Sequence, residues 1–228
     1  GQVAPAGLMR YRGQHFGKSY KDTLFACQFN THKLVHVRLK ANGASFLTEE
    51  QDFLTSTSID FHPADVLEDA DGSLLLLDTG GWLSWGCPYS KIAKPQIKGA
   101  VYRIRRKGGA KVSDPFGRKM NLSKMALLQV AALLADDRQR VRDRARDALI
   151  ERGEKAVPVL ASAFKSTPSP ELRRRQLWVL SRIKSKGALA ALRRALSDRD
   201  AGVRQVAARS LGILEDKSSG PLLAGLLK

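Results

Sequence analysis

Residues 60–81 read DFHPADVLEDADGSLLLLDTGG and residues 99–106 read GAVYRIRR; between them they decide the character of the first half of the chain. Asp65-Val66-Leu67 is a short β-prone run. Asp71-Gly72 supplies a tight turn whose left-handed position suits glycine. Ser73–Asp78 is a second strand, and four consecutive leucines, Leu74 to Leu77, imply burial on both of its faces. Val101-Tyr102-Arg103-Ile104-Arg105 mixes apolar and basic residues in a third β-prone run. Three consecutive strands of this kind make a small antiparallel sheet, with any chemistry carried on the loops at its ends.

Working back from that stretch, four more β-prone runs appear at Gly7–Arg12, Thr23–Phe29, Lys33–Lys40 and Ser45–Phe53, separated by segments such as Arg12-Gly13-Gln14 and Ala41-Asn42-Gly43. Four strands followed by three amount to nearly two blades of a β-propeller, each blade a small antiparallel sheet. The excursion Thr79–Lys98 is too long for a hairpin turn and carries Trp82, Trp85 and Tyr89, so it is read as a loop with a function or a capping role. Residues 107–121, KGGAKVSDPFGRKMN, are rich in Gly and Lys and mark the domain boundary.

Beyond that boundary the period changes. Val141-Arg142, Leu172-Arg173 and Val203-Arg204 recur every 31 residues, as do Leu149, Leu180 and Leu211. Ser169-Pro170-Glu171 is a helix start, with serine as the cap and proline at the first helical position. Asp137 and Asp200 are expected to cap the sister helices. A second helix follows each first one, at Ala156–Phe164, Ala188–Leu196 and Ser219–Leu227. Helix pairs repeating at this interval bury their apolar faces by stacking into a solenoid. The expected class is therefore β + α: a partial β-propeller of about two blades (1–108), a linker (109–121) and an α-solenoid (122–228).

The chain has 228 residues and a formal net charge of +17. Residues 122–228 hold 22 Lys/Arg against 11 Asp/Glu. A field of that sign attracts nucleic acid, anionic lipid or an acidic protein. A solvated, arginine-rich helix surface is the preferred reading, with Arg142, Arg173 and Arg204 paired to acidic groups of their own or the next repeat. No RNA-binding aromatic signature, zinc spacing or Gly-rich phosphate loop accompanies the charge, so no specific nucleic acid is expected. Cys27 and Cys87 lie too far apart for a metal or redox motif; a disulfide between them is left open. No apolar run is long enough to span a membrane, and the chain opens with neither an initiator Met nor a signal peptide, as a piece of a longer protein would.

The cap, the Val/Leu-Arg step and the helical Ala/Leu spacing of residues 136–228 resemble HEAT repeats, with Leu122–Leu134 as a leading helix. Val3-Ala4-Pro5-Ala6-Gly7-Leu8, Tyr11-Arg12, Asp22–Phe25, Asp65–Asp78 and Val101–Arg105 resemble the final blades of glucose/sorbosone dehydrogenase-type propellers. The order of the two parts, with Gln28-Phe29-Asn30, Asp60–Val66, Asp78–Trp82 and Gly99–Arg106, is similar to the PVC-type membrane-bound dehydrogenases. That resemblance implies an exported or periplasmic oxidoreductase of sugars or alcohols, pyrroloquinoline quinone as cofactor, and a c-type heme domain elsewhere in the full-length protein. No Cys-x-x-Cys-His heme motif occurs in this chain. At positions where the family turns a threonine and cations toward the quinone, this chain has Gln2, Asn30, and His62 with Ala64, and neutral groups do not reproduce an arginine fork. By resemblance, Gln2, Asn30 and His62 lie on loops at one rim, with Trp82 on a neighbouring loop, where it could stack on a ligand. The alternative expectation is a non-catalytic propeller/HEAT binding scaffold, with a protein partner on the HEAT surface.

Overall fold

A computed structural model describes residues 3–81, 94, 96–109 and 111–225, and the chain divides into two compact units, 1–113 and 114–228. Gln2, Trp82, Trp85, Tyr89 and Cys87, with most of the long excursion, lie outside the described residues.

The first unit is built from two antiparallel meanders. Strands β1 (Pro5–Arg10), β2 (Leu24–Gln28), β3 (Lys33–Asn42) and β4 (Ser45–Thr55) form one sheet in sequence order. Strands β5 (Pro63–Glu68), β6 (Leu74–Asp78) and β7 (Ala100–Ile104) form the other, with β6 in the centre. Leu74 and Leu76 are fully buried and Leu75 and Leu77 half-buried, as a central strand covered on both faces requires. Gly72 closes the β5–β6 turn at φ +80°, where a side chain would be strained. The sheets meet along β1 and β5: a Cβ on Gly7 would lie 2.5 Å from the Asp65 Cα, so this approach requires glycine.

The core between the sheets is aromatic. Tyr11, Phe16, Phe25 and Phe61 are buried with Cys27, Leu34, Val66, Leu74 and Leu76. Phe25 meets Tyr11 and Phe53 edge-on at centroid distances of 5.9 and 4.8 Å. The Tyr11 hydroxyl donates to the Gly72 carbonyl (2.8 Å) and accepts from the His15 amide (3.0 Å), so one buried phenol ties the first sheet to the turn of the second. Burial pushes the Cys27 thiol up to about 12, which makes it an unreactive small hydrophobe.

His36 is buried on β3, within 2.8 Å of the Thr23 hydroxyl and against the rings of Tyr20 and Phe25. Burial, with a smaller contribution from the Arg38 charge, lowers its pKa below the ordinary 6.5. The unfolded chain therefore binds the proton before the folded chain does. The His36 contribution to stability is complete above the unfolded value and is lost as pH falls below it. Denaturant midpoints at about pH 8 and about pH 5.5 are expected to differ by less in His36→Gln than in the parent. An unchanged difference would show that His36 does not set the acid response.

The second unit is a two-layer helical array. Helices α2 (Gln139–Glu151), α4 (Pro170–Leu180) and α6 (Ala201–Ile213) form one row. Helices α1 (Leu127–Ala132), α3 (Val157–Ser166) and α5 (Lys186–Ala195) form the other, and α7 (Gly220–Gly225) follows. Leu149, Leu180 and Leu211 are buried at equivalent places in one continuous core. Ser169 and Asp200 cap their helices, accepting from the Leu172 amide (3.3 Å) and the Val203 amide (2.9 Å). Asp137 does not cap α2: Arg138 occupies the cap position, without a side-chain cap. The Asp136 carboxylate is instead held by the Arg138 guanidinium (2.8 Å) and amide (2.9 Å). Among the described residues no helix is long and apolar enough to cross a membrane.

The periodic arginines are internal. Arg142 donates to the carbonyls of Asp136 and Asp137, Arg173 to those of Thr167 and Pro168, and Arg204 to those of Asp198 and Arg199. Each guanidinium thus folds back onto the turn that precedes its own helix and satisfies carbonyls that the helices leave open. Arg173 also pairs with Asp198 at 3.0 Å. Arg142 and Arg173 are buried, so these positions form no exposed basic ladder; the Arg173–Asp198 pair is the acidic partner in the next repeat expected from charge patterning, and the turn carbonyls are acceptors that patterning does not suggest. Arg144 and Arg152 likewise hold segment 116–125 to the array, Arg152 donating to the carbonyls of Leu122 (2.6 Å) and Met125 (2.8 Å).

Candidate functional site

Three segments of the first unit meet at one end of its sheets: the β2–β3 turn (29–32), the loop leading into β5 (56–62), and the last residue of β6 with those that follow it (78–81). His62 stands between them because Pro63 opens β5 and pairs with Asp78, which fixes the chain direction on both sides. Its amide donates to Asp78 Oδ1 (2.8 Å), which also takes the Gly80 amide (2.9 Å). Its ring stacks on Phe29 at 4.6 Å, and its Nδ1 lies 2.7 Å from the Gly80 carbonyl. His32, held at φ +57° in the turn, places its ring 5.3 Å from that of His62 and its Nδ1 2.5 Å from the Phe61 carbonyl.

A carbonyl can only accept, so each Nδ1 carries the proton in the neutral ring. That leaves the Nε2 lone pair of both imidazoles, neither engaged in a hydrogen bond within the described residues, to accept a hydrogen bond from a ligand donor. Asp60 on the same loop pairs with Lys94 at 2.6 Å. No group of three or more His, Cys, Asp or Glu that could hold a metal ion occurs among the described residues.

Asn30 follows Phe29, and its Oδ1 accepts from the Ala4 amide (2.7 Å), fastening the start of the chain to the β2–β3 turn. Phe29 adds a backbone bond to the Ala4 carbonyl (2.9 Å). Asn30 and His62 therefore belong to the same end of the unit, joined through Phe29. Gln2 and Trp82 lie outside the described residues. Residue type alone does not single out His32. The signal was present in the hairpin register: Gln28 opposite Lys33 makes 29–32 the turn and sends His32 to the end where β5 begins.

The geometry defines a unit of antiparallel meanders joined to a helical-repeat module. In comparison with known families, residues 157–228 match the model described as HEAT repeats, and residues 2–80 match a domain of unknown function (DUF7133). No curated protein matches the chain.

Proposed function

We propose that the chain is an interaction scaffold, in which the HEAT array docks a protein partner and the β unit forms the closing blades of a propeller. The observation that carries the first part is the array itself: repeats of a type that typically mediate protein interactions, made stiff by the same arginine-to-turn bonds in three successive units. The propeller reading is supported by the four-plus-three meander order and by the close approach of β1 and β5, the first strands of the two sheets.

The second reading makes the full-length protein a periplasmic, quinoprotein-like dehydrogenase of sugars or alcohols, with a c-type heme domain as electron partner. The Nε2 positions of His62 and His32, without a hydrogen bond among the described residues, favour it. Against it, this chain offers amide and imidazole groups where the quinone's carboxylates and carbonyls would meet cations. Titration with pyrroloquinoline quinone, and a dye-reduction assay over a panel of sugars and alcohols, are expected to show neither saturable binding nor turnover by this chain. Saturable quinone binding that is lost in His62→Ala would overturn the scaffold reading.

A further inference from the structure

A cleft of about 520 Å³ opens in the helical unit between the end of α3 with its following turn and the end of α5 with its own. Its floor includes Arg173, 4% exposed, with Nη1 on the Thr167 and Pro168 carbonyls and Nη2 on Asp198. The Arg173 Nε is buried and has no acceptor among the described residues. Asp198 balances the Arg173 charge. Around the rim, Lys165, Arg194 and Arg199 are exposed, and none of them forms an ion pair among the described residues. The carboxyl ends of α3 and α5 bring about half a negative charge each to the cleft, which is less than the three rim cations supply.

We propose that this cleft binds the carboxylates of an acidic segment of a partner protein, an assignment that rests on the interaction-module reading. The rim cations attract the carboxylates, and Arg173 beneath them keeps one N–H, at Nε, without an acceptor among the described residues. Ser197, exposed at the rim, supplies a hydroxyl acceptor for a peptide N–H group. A nucleic acid fits less well. Single strands bind by stacking bases on aromatic side chains, and among the described residues that line the cleft the one aromatic ring, Phe164, is half-buried.

The test uses the whole chain and a fluorescein-labelled octa-glutamate peptide at low salt, with octa-glutamine as the uncharged control. Octa-glutamate is expected to bind saturably and octa-glutamine not at all. Lys165→Glu/Arg194→Glu should weaken binding roughly tenfold or more, since both positions turn from attraction to repulsion. Arg182→Glu/Arg209→Glu, equal in charge, exposed and outside the cleft, should change it far less. Equal losses in the two double variants, no saturable binding, or tighter binding of an oligothymidylate of equal charge would each overturn the assignment. Failure here leaves the scaffold reading in place, whereas quinone binding would remove that reading without altering this titration.

Discussion

Leu180→Ala is expected to lower the stability of the helical unit by about 2–5 kcal/mol, the range for truncating a buried leucine without full collapse of the cavity. Leu180 is 1% exposed, and the core around it is continuous across the repeats, from Leu149 on one side to Leu211 on the other. Neighbouring helices are thus fixed by more than this one contact and cannot close in freely. Chemical denaturation followed at the helical circular-dichroism band measures the loss. A change below about 0.5 kcal/mol, the size of an ordinary surface effect, would show that the side chain is not in the core.

Arg173→Ala is expected to cost about 3–5 kcal/mol, because it leaves Asp198 buried beside an empty site and frees two turn carbonyls. Arg173→Lys should recover little, since one ammonium cannot span both carbonyls and the carboxylate as the planar fork does. Adding Asp198→Asn to Arg173→Ala should restore part of the loss by removing the unpaired charge. The same denaturation measurement decides it. A loss within surface range in Arg173→Ala would mean that water replaces the guanidinium at no cost and that the turn needs no such bond.

The elements that repeat or alternate were legible before any coordinates. Leu149, Leu180 and Leu211 announce the array through their spacing alone, and all three are core. The seven strands were readable because turn residues such as Asp71-Gly72 and Asn42-Gly43 separate β-prone runs. The error at Asp137 came from reading residue type ahead of period: positions 31 apart place 138, 169 and 200 together, so the cap falls on Arg138, one residue later. Side-chain acceptors were hidden for a different reason. Charge patterning suggests carboxylates for Arg142, Arg173 and Arg204, as Asp198 is for Arg173, but a turn carbonyl carries no mark in the sequence. The proximity of His32 to His62 is long-range in the chain and depends on how the two sheets meet, which local propensity does not encode.

The arginine-to-turn bonds bear on how this array can change length. Acceptor and donor sit five and six residues apart inside one unit, at 136/137 with 142, 167/168 with 173 and 198/199 with 204. Excising or duplicating a whole 31-residue block carries each donor along with its own turn and brings like helix faces back into register. A deletion of a few residues between turn and arginine separates the two and exposes their hydrogen-bonding groups to the core. The module is therefore quantised: it tolerates growth and shortening by complete units, and it resists fractional edits within them.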